Sequence, residues 1–163
     1  MTEALAIREK HDGALGDRSS VKLWLRLLSC TMAMEKDVQR RLAARGATLA
    51  RFDVLAALDR HSDGMTMGGL SRALLVSNGN VTQLVQKLAK DGLVRIDPSP
   101  ADRRASIVRL THQGRIHFSG LAAAHHDWID ALLADVDAET RETLYQALGA
   151  LKRSIAKGQS LGS

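Results

Sequence analysis

The segment from Ser77 to Asp91, S-N-G-N-V-T-Q-L-V-Q-K-L-A-K-D, constrains this chain most. Val81, Leu84, Val85 and Leu88 recur at i, i+3, i+4 and i+7, so one stripe of a helix faces a core. Projected at about 3.6 residues per turn, the opposite side carries Gly79, Thr82, Gln83, Gln86 and Lys90, flanked by Asn80 and Lys87. An ordinary solvated face is mostly Glu and Lys. This one has no acid before Asp91 and is rich in amides and hydroxyls. Amides can bond adenine through two atoms at once, and a threonine methyl can pack on thymine. A plain polar surface helix would show the same stripe, so the residues after the helix decide between the two.

Gly92 closes the helix, because glycine adopts the left-handed cap at low cost. Leu93–Asp97 and Ala105–Thr111 then run in strand fashion around P-S-P-A-D-R-R, which contains the two prolines of the chain. The result is a hairpin whose turn carries Asp102, Arg103 and Arg104. A solvated charged turn is the plain alternative. An arginine at such a tip can enter a minor groove, where the negative potential is strongest when the groove is narrow, and Asp102 can orient Arg104 by an ion pair. Helix, glycine, strand, basic turn and strand in succession favour DNA.

The rest of the chain reads as helices. Residues 1–18 are polar and lack periodicity, a mobile N-terminal arm. Ser19 or Ser20 is expected to cap a first helix that runs to about Ala44. Val21, Trp24, Leu25, Leu28, Met32 and Val38 form one stripe on it, and Leu23, Leu27, Cys30 and Met34 a second. A helix apolar on two faces packs against two things, its own domain and, most economically, a partner subunit. Thr48 caps a second helix to about His61. Thr66 caps a third, Met67 to Leu75, with Leu70, Ala73 and Leu74 facing the next helix across the turn Leu75-Val76-Ser77. After Thr111 a long helix is expected to about Ala134, with Ile116, Leu121, Trp128, Leu132 and Leu133 buried. Asp137 caps a last helix to about Lys157, where Leu144, Leu148, Leu151 and Ile155 make a heptad-like seam. Residues 158–163 read as a tail.

At 163 residues with 45% hydrophobic and 3% aromatic side chains, the chain suits one mostly helical domain with a Leu, Ala and Val interior. A net charge of +5 and a pI near 9.8 suit a polyanionic partner. A single cysteine rules out an internal disulfide framework and fits a reducing compartment. No apolar run approaches the roughly 20 residues that span a bilayer, and no secretory leader is evident, so a cytoplasmic protein is expected.

D-G-L-V-R-I-D-P-S-P-A-D-R-R-A-S-I-V-R-L-T resembles the wing of the MarR family of bacterial winged helix-turn-helix regulators, and S-N-G-N-V-T-Q-L-V-Q-K-L resembles that family's recognition helix. The likeness runs from about Leu23 to Ile155. Where the family often has an acid, Gly69 follows Gly68, so a loosely started third helix is expected. The resemblance implies a fold that is mostly α with a small β-hairpin wing. A winged helix-turn-helix would occupy about 48–111 within a single domain at 19–157, with dimerisation helices at about 19–45 and 113–157. It also implies a homodimeric repressor, released from a palindromic operator by a small aromatic carboxylate or aromatic acyl thioester.

In that reading Asn80, Thr82, Gln83 and Gln86 touch bases. Ser77, Lys87, Lys90, Arg95 and Arg103 touch phosphates, and Arg104 enters the minor groove beside Asp102. Family effector pockets lie where the dimerisation helices meet the winged domain. By that resemblance Trp24 is a stacking candidate, Arg26, Arg51 and Arg115 are carboxylate partners, and His117 and His125 face the pocket; core filler with surface arginines explains the same set. The six histidines do not form metal-ligand spacing: His125 and His126 are adjacent, and no H-x-x-x-H occurs, so no metal or cofactor is expected. Some family members sense oxidants through a first-helix cysteine, but near the position of Trp24; Cys30 reads as a small buried thiol. A redox-sensing regulator and a constitutive or architectural DNA-binding protein are the alternatives. No phosphate-cradling glycine motif, nucleophile elbow or catalytic carboxylate pair suggests an enzyme.

Overall fold

The computed structural model describes residues 18–99 and 105–161. Six helices and three short strands follow one another: α1 Ser19–Ala43, α2 Leu49–Asp59, β1 Met65–Thr66, α3 Met67–Leu74, α4 Asn78–Lys90, β2 Val94–Pro98, β3 Ser106–Leu110, α5 His112–Leu132 and α6 Ala138–Leu161. The chain divides into two compact units between His126 and Asp127.

The first unit holds the core. Leu42, Val54, Leu55, Leu58, Leu70, Val81, Val85, Leu88 and Val108 are fully buried, so α1, α2, α3, α4 and β3 close on one another. Side-chain caps fix three of the helix starts. Thr48 accepts from the Arg51 amide at 3.3 Å, Thr66 from Gly69 at 3.0 Å and Ser77 from Asn80 at 3.4 Å. Each removes one unsatisfied donor from a first turn. Gly68-Gly69 therefore does not leave α3 uncapped. Helix α1 differs from expectation: Ser19 and Ser20 lie inside it, and Arg18 stands at its start without a side-chain cap.

The sheet has three strands, not two. β1 pairs antiparallel with β3 (Met65 opposite Val108), and β3 with β2 (Val94 opposite Leu110, through Pro98 opposite Ser106). Two residues are too short for an alternation to register in sequence, so β1 is silent there. Gly92 takes φ +71° between α4 and β2, as expected.

Helix α5 buries Leu121 as expected but otherwise turns a different set of residues inward from the one its sequence suggests. Gly114, Phe118, Leu121 and Ala124 are covered, whereas Ile116 is 62% exposed and Leu132 38%. Gly114 sets that rotation, because a β-carbon there would lie 1.8 Å from the Leu93 carbonyl oxygen. Thr111 reinforces the join, its hydroxyl donating to Gly92 O at 2.6 Å and accepting from the Gly114 amide at 2.9 Å. Phe118 follows one turn later and meets Phe52, ring centroids 5.5 Å apart. Ala73, expected inward on α3, is exposed.

In the second unit Asp137 caps α6 by accepting from the Thr140 amide at 2.8 Å. Arg141 donates back to Val136 O and Leu133 O, closing the turn before the helix. Helix α6 reaches Leu161, beyond the start expected for the tail, because Gly158 does not interrupt it.

Candidate nucleic-acid interface

Helix α4 turns its apolar stripe fully inward, with Val81, Val85 and Leu88 all 0% exposed, while Leu84 is partly covered. That fixes the rotation of the other side. Asn80, Gln83, Gln86, Lys87 and Lys90 are all exposed. Thr82 is half-buried, and its hydroxyl donates to Asn78 O at 2.9 Å. Ser77 is exposed at the helix start, its oxygen already used as the cap.

The charge along this part of the chain is one-sided. Residues 64–90 contain no carboxylate, so α3, the turn and α4 form an acid-free stretch. Arg72 on α3 and Lys87 and Lys90 on α4 are exposed and make no ion pair among the described residues. Cations without internal partners beside free amide groups suit a phosphate backbone framing base edges. Arg72 is an addition to the residues expected from sequence, which belong to α4 and the wing. Its signal is the run without acids, which begins straight after Asp63.

The base of the wing is tied by charge. Asp97 lies 3.0 Å from Arg109 Nη1 and 3.4 Å from Arg95 Nε. Arg95 remains 61% exposed while so held. The Ser99 amide donates to Ala105 O at 2.9 Å, so the ladder continues to that pair. Asp102, Arg103 and Arg104 lie outside the described residues.

Behind α4, Arg51 Nη2 sits 2.5 Å from Asp91 Oδ2, joining the first turn of α2 to the end of α4. This pair is partly exposed, so it fixes orientation more than it adds stability. Arg51 is thus already engaged by a carboxylate of its own chain. The other residues expected at an effector pocket are dispersed. Trp24 is 59% exposed and Arg26 is exposed on α1; Arg115 and His117 are exposed on α5. His125 is half-buried and stacks on Phe52 with centroids 4.7 Å apart. Burial holds its imidazole below the ordinary histidine range, against the opposing pull of Asp53. Burial likewise raises the Asp53 carboxyl, opposed by His125 and Arg60.

A groove of about 380 Å³ opens elsewhere, between α2, the end of α3 and α4. Ala50, Asp53, Leu74, Val76, Asn80, Gln83 and Lys87 are among the residues that line it. None of the six expected effector residues lines it. Among the described residues, no group of three or more His, Cys, Asp or Glu is placed to hold a metal ion, and no helix is long and apolar enough to cross a membrane.

The MarR family model matches residues 45–105, the span that carries α2, α3, α4 and the start of the wing. A solved MarR-family transcriptional regulator from Silicibacter pomeroyi is 33% identical, covering 88% of this chain and 99% of that one with a TM-score of 0.73. The chain belongs to the MarR family of transcriptional regulators. The transcriptional activatory protein BadR of Rhodopseudomonas palustris is 38% identical over 96 residues, which are 58% of this chain and 55% of BadR, so the match spans about half of that relative's length. CouR of Rhodococcus jostii, solved with p-coumaroyl-CoA bound, shares the fold at 18% identity and a TM-score of 0.71, over 86% of this chain and 95% of that one. As a MarR-family member this chain is a DNA-binding winged-helix regulator, and the expected mostly helical fold with a small β wing is the one observed.

Proposed function

We propose that the protein is a homodimeric repressor that lays α4 into successive major grooves of a near-palindromic operator, with the wing gripping the adjoining minor groove. The observation that carries this reading is the outer face of α4. Asn80, Gln83, Gln86 and Lys87 are presented outward by a stripe whose Val81, Val85 and Leu88 are fully buried, within a stretch of chain free of carboxylates. Asn80, Thr82, Gln83 and Gln86 read bases, while Ser77, Lys87, Lys90 and Arg95 meet phosphate. Arg103 and Arg104, with Asp102, belong to the wing tip. One helix touches only a few base pairs, so two copies about a two-fold axis supply half-sites about one DNA turn apart.

Dimerisation is supported by apolar surface that one chain leaves open. Val21, Leu23, Trp24, Leu28 and Met32 on α1 are 40–60% exposed, and Leu144, Tyr145, Leu148 and Ile155 on α6 are 45–73% exposed. Apolar patches of this kind mark protein interfaces. A repressor of chromosomal genes would work in the bacterial cytoplasm.

Release by an aromatic carboxylate or its acyl thioester is supported by the bound p-coumaroyl-CoA of CouR. A coupling of about 1–3 kcal/mol between ligand and DNA would give useful derepression. BadR's name describes an activator, so the sign of regulation is part of the test. Gel shifts with the DNA upstream of the gene, at fixed salt, should show preference over scrambled sequence and loss of the complex with one member of an aromatic acid and aromatic acyl-CoA panel. A reporter on the same DNA gives the sign. Equal affinity for scrambled DNA would end the regulator reading, and an inert panel would end the effector.

Cys30 is exposed on α1, contrary to the buried thiol expected from sequence, on a helix whose Leu28 and Met32 are also exposed. This exposure supports a redox alternative. DNA release by peroxide that persists in Cys30→Ser would exclude it.

A further inference from the structure

The turn between α3 and α4 contains a residue that does not suit its place. Leu75 adopts φ 55°, ψ 36°, the left-handed region, and is the one described non-glycine residue with positive φ. A β-carbon makes that conformation unfavourable, and glycine or asparagine normally occupies it. The Leu75 side chain is also 92% exposed, the highest value of any large apolar residue described. The Leu75 side chain, almost wholly exposed, offsets neither cost itself. The turn is held by other groups: Ser71 Oγ donates to Val76 O at 2.5 Å, and the Val76 amide to Ser71 O at 3.2 Å. Glycine would make the same turn with no strain and no exposed apolar surface.

We infer that Leu75 is an apolar DNA-contact residue, covered on binding by a thymine methyl or the apolar edge of the adjoining deoxyribose. Its surroundings select DNA over a protein or lipid partner. Leu75 lies two residues before Ser77, the cap of α4, and three after the exposed Arg72. Val76, 42% exposed beside it, lines the same groove as Asn80, Gln83 and Lys87. The apolar group is therefore continuous with the cationic and amide-bearing surface assigned to DNA, and the inference rests on that assignment. Thymine offers its methyl at the major-groove edge, where aliphatic side chains pack.

The test compares the full-length protein with Leu75→Asn and Leu75→Gly, using DNA selected from a random pool by the wild type. Both substitutions suit the left-handed backbone, so the thermal midpoint should hold or rise while DNA binding weakens by about tenfold, as expected when a buried apolar group is removed. Binding equal to wild type, or a lowered midpoint in both variants, would overturn the inference. Gln83→Ala and Lys87→Ala run alongside. If these two weaken binding while Leu75→Asn does not, the inference fails alone; if they also bind normally, the interface reading fails with it. Repeating the titrations on DNA with deoxyuridine for thymidine separates the methyl from the sugar. Non-additive effects place Leu75 on a methyl group, and additive effects place it on the sugar.

Discussion

Helices α4 and α6 carry apolar residues at the same helical spacing and end in different circumstances. In α4, Val81, Val85 and Leu88 are wholly buried. In α6, Leu144, Leu148 and Ile155 are about half exposed and no described residue is buried. A stripe at i, i+3, i+4 and i+7 says that a helix needs a partner surface. It does not say whether the same chain provides it. Helix α4 finds its partners in α2, α3 and β2, and its polar face is consequently fixed outward. Helix α6 is proposed to find them in a second copy.

The sharpest way to break this comparison is to cut equivalent side chains on the two helices. Leu88→Ala should destabilise the protein by about 2–5 kcal/mol, read by urea or thermal unfolding, because it removes methyl groups from a closed core. Leu148→Glu should instead leave helicity intact by circular dichroism while shifting the mass found by sedimentation from dimer to monomer. A Leu148→Glu variant that stayed dimeric would assign the α6 stripe to something other than a second copy.

The next effect concerns the joint that rotates α5. Gly114→Ala places a methyl within 1.8 Å of the Leu93 carbonyl oxygen, so backbone must shift at the start of the wing. A drop of about 1–3 kcal/mol in unfolding free energy is expected, as for other overpacked sites. A neutral result would show that β2 can yield there.

On the outer face of α4, base reading and phosphate binding should separate. Gln83→Ala should cost about 1–3 kcal/mol on the preferred site and relax preference at one base pair. Lys87→Ala should weaken binding to all sequences alike and lower the logarithmic salt slope by about one. Anisotropy titrations across salt concentrations distinguish them. Identical salt slopes for wild type and Lys87→Ala would remove Lys87 from the phosphate-binding set.

The smallest effect is a pH dependence of stability. Burial against Phe52 keeps His125 below its ordinary pKa of 6.5, so the unfolded chain takes up the proton first. Stability from this histidine is complete above that value and is lost as pH falls through and below it. Asp53, raised from 3.8 by burial, works in the opposite sense: its contribution is lost as pH rises above that value. Glu35, Arg60 and His126 also act on this pair. His125→Gln should flatten the melting-temperature profile between about pH 5 and 7; an unchanged slope would assign the dependence to another group.

Much of the first unit is legible in the chain. The α4 stripe, the caps Thr48, Thr66 and Ser77, and the left-handed Gly92 are local features, each decided by residues within a turn of one another. The departures share one cause, which is distance along the chain. The Ala122-Ala123-Ala124 run blurs the period of α5, so its sequence points Ile116 inward and gives no weight to Phe118. Its true rotation is set by Gly114 against Leu93, about twenty residues earlier. Strand β1 is legible only through its pairing with β3, some forty residues later.

What the sequence determined by itself is the set of helices, most of their starts, and the amide-bearing face with its lack of carboxylates, since these follow from side-chain chemistry repeated at short range. Tertiary structure alone decided which apolar stripes are covered, that Arg51 is committed to Asp91, and that Leu75 stands strained and bare. Coverage is a relation between segments far apart in the chain, and no local pattern encodes it.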